Sequence, residues 1–199
     1  THEIAEQTNN RALADTLEDA GEQIRKSFLD VFMNDAGYLY DYVDGYYADW
    51  SVRPNMIFAV SLDYSPLERR QKKSVIDYVT KELLTNCGIR SLSPKSEKFR
   101  PHYTGSIDDK KLAYFNGMAF PWLLGPYIEA YLKVFHMSGL SLADRIMVNM
   151  EDEMQNDCIG SISELYDSNP PFTGRGGYSF AMSVAELLRA QRLMKNDEG

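Results

Sequence analysis

Hydrophobic residues along this chain recur mostly at helical spacing, and the helices they predict alternate in character. Residues 9–34 place Leu13, Leu17, Ile24, Phe28 and Phe32 at steps of about 3.6, with Glu18, Asp19, Glu22, Arg25 and Lys26 on the remaining face. That pattern predicts an amphipathic helix with one buried side. Residues 54–62, "PNMIFAVSL", are apolar almost all round, and Pro54 suits a first helical turn, where its missing N–H costs nothing. Residues 67–86 return to the one-sided type, with Val75, Ile76, Val79, Leu83 and Leu84 set against Arg69, Arg70, Lys72, Lys73 and Lys81.

The alternation then repeats. "FPWLLGPYIEAYLKVF" (120–135) is apolar on most faces, with Pro121 in its first turn and a kink predicted at Pro126. Residues 140–155 are one-sided again, and 179–193, "SFAMSVAELLRAQRL", begin apolar nearly all round. A helix apolar on every side must be surrounded by protein, whereas a one-sided helix can form an outer wall. The order outer, inner, outer, inner, outer, inner therefore predicts an all-α fold with two layers of helices in a single domain over 1–199. Strand pairing is expected only as short pieces, in "GYLYDYVDGYY" (37–47) and part of 88–117.

Connection lengths point to the site. Inner-to-outer links are short, at 63–66 and 136–139, but the outer-to-inner links, 35–53, 87–118 and 156–178, are long. Long connections without secondary structure are uncommon in compact domains and tend to be functional. All three feed N-termini of inner helices, so they are expected to gather at one end, where unpaired N–H groups and positive dipole ends also lie.

Composition narrows the chemistry. A chain of 199 residues that is 44% hydrophobic supports a sizeable core. A net charge of −8 and a pI near 4.9 argue against a nucleic-acid partner. The strongest apolar run, "MIFAVSL" (56–62), is too short to span a bilayer. Cys87 and Cys158 lack metal or redox spacing, which makes a reducing compartment the default, and His2, His102 and His136 are scattered, so neither metal nor cofactor is expected. The first residue is Thr1 rather than Met, as in a processed product, a piece of a longer chain or a product of tag removal.

Within the connections, Arg53 and Asn55 sit at an inner-helix start, where they suit either sugar hydroxyls or, respectively, an ion pair and a helix cap. Tyr114 and Trp122 stand in "LAYFNGMAFPW" (112–122), and aromatic rings there suit the apolar C–H faces of pyranoses, although Trp122 also fits a core. In "GSISELYDSNPPFTGRGGYSF" (160–180), Asp167 reads as a turn former, with Arg175 close behind. Glu164 has no turn role, and a half-buried carboxylate there would suit activation of a water. One carboxylate is not enough on its own, since glycoside hydrolysis normally takes two.

"GYLYDYVDGYYADWSVRPNMIFAVSLDYSPL", "ELLTNCGIRSLSP", "FPWLLGPYIEAYL" and "GSISELYDSNPPFTGRGGYSFAMSVAELLRA" closely resemble the C-terminal region of glycogen debranching enzymes. The similarity runs in order from about residue 10 to 192. It implies the amylo-α-1,6-glucosidase part of a glucoamylase-like (α/α)6 toroid, of which these six helices would be half. It further implies cytoplasmic hydrolysis of the α-1,6-linked glucose at a glycogen branch, with inversion. "SISELYD" resembles the loop that carries the general base, which assigns that role to Glu164. Arg53, Asn55, Arg90, Tyr114, Trp122, Tyr166, Asp167 and Arg175 become the expected substrate ligands. The general acid of the family lies in the first half of the toroid, so the expected partners are an α-glucan oligosaccharide and that missing N-terminal half. The isolated chain is then expected to be inactive and to dimerise through an exposed apolar face.

The resemblance has departures. Debranching enzymes read like "RPNQ", "AYHQGTVWPW" and "QAWS" where this chain has "RPNM", "AYFNGMAFPW" and "FAMS". Met56, Phe115, Met118, Phe120, Phe180 and Met182 thus replace several polar groups and two tryptophans. Glu164, Arg53, Asn55 and Arg90 remain and keep the debranching reading first, and two alternatives stand beside it: a relative that binds glucan without turnover, and a toroid glycosidase of different linkage preference.

Overall fold

The computed structural model describes residues 2–197, and it is all-α apart from six two-residue strands among those residues. Helix α1 (His2–Gln7) leads to α2 (Arg11–Phe32), whose start is capped by the Asn10 side chain accepting from the Leu13 N–H at 3.2 Å. Helices α3 (Met56–Ser61), α4 (Arg69–Glu82), α6 (Leu124–Phe135), α7 (Leu140–Glu153) and α8 (Ala181–Asp197) fall within the other predicted segments, save the last residues of α8. Helix α4 opens with a reciprocal capping pair between Glu68 and Gln71.

Apolar periodicity explains the packing. Helix α6 is buried on nearly every side, through Leu124, Tyr127, Ile128, Ala130, Leu132 and Val134, and it lies between α3 and α8. Helix α4 packs on α3 and α6, and α7 packs on α8. A Thr80 Oγ1–Tyr127 hydroxyl hydrogen bond of 2.8 Å ties α4 to α6. Gly125 brings α6 close to α8: a methyl group there would lie 2.9 Å from the Glu186 carbonyl oxygen and collide with its side chain.

Four expectations need correction. The connection 87–118 is not without structure, because α5 (Ile107–Phe115) lies inside it, opened by a Ser106–Asp109 capping box. Helix α2 does not bury the whole of its apolar side: Phe28 and Phe32 pack on the core, but Leu13, Ile24 and Val31 face solvent. Helix α8 is not enclosed, since Met182 and Leu188 are exposed. Pro126 falls in the first turn of α6, after a 3-10 turn at Pro121–Leu123, so its missing N–H removes no interior helical bond.

Two small sheets organise the connections. Strands β1 (Val43–Asp44) and β2 (Tyr47–Ala48) form a hairpin whose two-residue loop begins with Gly45 at φ 57°, as a type II′ turn prefers. Strands β3 (Ile89–Arg90), β4 (Ala119–Phe120), β5 (Leu165–Tyr166) and β6 (Gly174–Arg175) form an antiparallel sheet in that order. Ile89 pairs with Phe120, Ala119 with Tyr166, and Leu165 with Arg175. That sheet stitches the second long connection to the third. The first joins them through the Ser93 N–H, which donates to the Val52 carbonyl at 3.0 Å. All three are therefore tied together where the chain enters α3, α6 and α8.

Candidate active site

Glu164 immediately precedes β5, and its N–H donates to the Gly177 carbonyl at 3.0 Å, which extends the β5–β6 pairing. The side chain is half-buried. Its Oε1 accepts from the Tyr114 hydroxyl at 2.8 Å and its Oε2 from the Gly177 N–H at 2.7 Å. Two donors from two different connections therefore aim one carboxylate. The glycines that follow make room for it: a methyl group at Gly176 would sit 2.5 Å from Oε2, and Gly176 also has a φ of 72°. Each carboxylate oxygen keeps lone-pair capacity for a further donor such as water.

Tyr114 borders a cavity of about 260 Å³, together with Arg53, Asn55, Phe115, Phe120 and Trp122 among others. Glu164 is not itself in the cavity wall and adjoins it through Tyr114. Tyr114 meets Phe120 edge-on at 5.0 Å between ring centroids, and Trp122 stacks on Phe58 of α3 at 6.2 Å. Trp122 is thus both packed against the core and part of the cavity wall.

Arg53 is heavily committed to the scaffold. It donates to the Ser91 carbonyl at 3.1 Å, the Phe115 carbonyl at 2.5 Å and Asn116 Oδ1 at 3.1 Å, and its Nε lies 3.5 Å from Asp41 Oδ2. Asn55 precedes α3 without a side-chain cap and donates instead to Asp41 Oδ1 at 2.7 Å. Asp41 thus orients both residues at the cavity rim. Sequence reading missed Asp41, and also Ser91, whose hydroxyl donates to the Tyr114 carbonyl at 3.1 Å and accepts from the Gly117 N–H at 2.8 Å.

The remaining expected ligands form a second group on the sheet, away from the cavity wall. Asp167, only 2% exposed, accepts from the Tyr103 N–H at 2.8 Å and from Arg175 Nε and Nη2 at 3.2 and 3.0 Å. Arg90 donates to the Ser168 carbonyl at 2.9 Å, and burial pulls its pKa below the ordinary value. Tyr166 is fully buried on β5. Of the apolar departures, Met56 and Met118 are core residues, Phe180 is half-buried and Met182 is exposed. Phe115 and Phe120 face the cavity.

Two site tyrosines link this geometry to pH. Burial first, and then the bond to Glu164, push the Tyr114 hydroxyl from an ordinary value of 10.0 up to about 12, and burial does the same for Tyr166. An unfolded chain would lose these protons from about pH 10, whereas the folded protein holds them longer. The folded state then binds more protons, so stability is full below pH 10 and falls as pH rises from about 10 to 12. The urea midpoint should drop across that window, and Tyr114→Phe should make the drop shallower. An unchanged midpoint up to about pH 12 would refute this.

Among the described residues no group of three or more His, Cys, Asp or Glu is placed to hold a metal ion, and Cys87 and Cys158 are buried free thiols. No described helix is long and apolar enough to cross a membrane. Comparison with curated proteins returns no match. The family model for amylo-alpha-1,6-glucosidase matches residues 2–189, nearly the whole chain. The chain therefore belongs to the amylo-alpha-1,6-glucosidase family, a glycogen debranching-type glycosidase region.

Proposed function

We infer that this chain is the C-terminal half of an (α/α)6 glycosidase domain that removes α-1,6-linked glucose from α-glucan with inversion, Glu164 acting as general base. The observation that carries this is the Glu164 carboxylate, aimed by Tyr114 and Gly177 beside an aromatic-walled cavity. A base of this kind takes a proton from water as that water attacks the anomeric carbon, while a second carboxyl, roughly 6.5–9.5 Å from the base, protonates the leaving oxygen. The proton donor belongs to the N-terminal half. Arg53 and Asn55, oriented by Asp41, and Trp122 bind the terminal sugar. Tyr166, Asp167, Arg175 and Arg90 hold the loop in place rather than touch the sugar. The cytoplasm is the expected location.

Leu13, Ile24 and Val31, exposed along one side of α2, support the half-domain reading, because an apolar stripe of this kind is normally covered. Without the other half, the chain should sediment as a dimer. A monodisperse monomer would count against it.

One observation favours a second reading, a relative that binds glucan without turnover. Phe115 and Phe120 line the cavity, and most Arg53 donors are already used by the scaffold. A site short of partners for sugar hydroxyls loses specificity. The deciding experiment is glucose release from a branched limit dextrin by the protein together with its N-terminal half. Release supports hydrolysis. Binding without product from any α-glucan, including a panel of other linkages, supports the second reading.

A further inference from the structure

Seven aromatic side chains are exposed among the described residues, and four of them, Tyr42, Tyr46, Tyr47 and Trp50, fall within nine residues on and beside the β1–β2 hairpin. Surface aromatics scattered singly need no explanation, but this is a cluster. Tyr46 projects from the hairpin loop fully into solvent, so folding gains nothing from burying it. Tyr42 and Tyr47 lie 5.6 Å apart between ring centroids, and the Trp50 backbone is pinned by the Tyr38 hydroxyl, which donates to its carbonyl at 2.9 Å. The platform is therefore ordered as well as exposed.

Beside the hairpin runs an open groove of about 640 Å³, walled by Tyr47 and Trp50 on one side and by Glu82, Ser93, Lys95 and Ser96 among others. It is separate from the Glu164 cavity. The two share one partition: the segment from Trp50 to Arg53, hydrogen-bonded to the segment from Ser91 to Ser93. Ring faces and a rim of hydroxyls and charged groups together match a pyranose, which has apolar C–H faces and polar edges. The Glu82–Lys95 ion pair, whose lysine is largely exposed, and the Asp49 carboxylate keep this wall polar, and covering it with a purely apolar partner would strip water from both, which disfavours a hydrophobic protein segment.

We propose that the hairpin groove is a second α-glucan site, which holds a stretch of α-1,4-linked chain independently of the Glu164 cavity. The choice of ligand rests on the glucan reading above. The chain has only two tryptophans, Trp50 in the groove and Trp122 in the cavity wall, so one titration reads both sites. Maltoheptaose is added to the 15N-labelled protein and the two indole N–H signals are followed, assigned with Trp50→Phe and Trp122→Phe.

The expected result is a saturable shift of the Trp50 signal. Tyr47→Ala, read at Trp50, should weaken that response roughly tenfold, the loss of one stacked ring, and leave the Trp122 titration unchanged. A shift at Trp122 alone overturns the groove proposal and leaves the cavity reading standing. Silence at both signals overturns both. An equal response of Trp50 to cellohexaose shows unselective stacking and overturns the assignment to α-glucan.

Discussion

Glu164→Gln should lower glucose release from limit dextrin by about 10²–10⁴-fold, the usual contribution of a positioned acid or base. The substitution is well suited to the question. A glutamine amide can accept from the Gly177 N–H through its oxygen and donate to the Tyr114 hydroxyl through its nitrogen, so the bonds that hold residue 164 are preserved in outline. What disappears is the ability to take a proton. Oligosaccharide affinity should therefore survive while turnover collapses, and kcat should fall with little change in KM. Normal turnover in this variant would end the assignment of Glu164 as the base.

Asp167→Ala should destabilise the fold by about 3 kcal/mol, because it strands buried partners of a charged group. The carboxylate accepts from the Tyr103 N–H and two Arg175 N–H groups, and its Oδ2 lies 3.7 Å from His102 Nδ1. It therefore joins the second long connection to the third. Arg175 is about one-third exposed, so its share is partly recovered by solvent, and the magnitude falls below that of a fully buried pair. Urea unfolding measures the loss directly. Unchanged stability, with maltooligosaccharide affinity reduced instead, would make Asp167 a sugar ligand rather than a brace.

Much of the helical framework is legible in the periodicity. Positions such as Ile57, Val60, Leu124 and Ile128 are buried because their helices are apolar on most faces, and nothing more than pattern is needed to place them. Helix α5 escapes that logic. Ile107, Leu112 and Phe115 are apolar but exposed, so no amphipathic stripe marks the helix, and the local signal is the Ser106–Asp109 cap. Of the four-stranded sheet only β3 falls where a short strand is expected, within 88–117, and β4, β5 and β6 stay hidden, since two-residue strands carry no alternation to detect.

The candidate site is legible only in part, and the reason is tertiary. Glu164 stands out because a Glu without a turn role in a Gly/Ser/Pro loop needs another explanation, and the Gly176–Gly177 pair that accommodates it is visible in the sequence. Asp41 carries no such mark: its importance comes from Arg53 and Asn55 arriving from 12 and 14 positions further along the chain. The Asp167–Arg175 pair spans eight residues, and nothing local separates a sugar ligand from a structural brace. The family resemblance places residues in a site, but hydrogen-bond partners decide which of them have donors left to offer.

The most direct test of a Glu164-driven, water-mediated displacement is the anomer of the first glucose released from limit dextrin, followed by proton NMR before mutarotation. Attack by water activated on the face opposite the α-linkage yields β-glucose first. α-Glucose as the initial product, or no glucose from the protein joined to its N-terminal half, would contradict it.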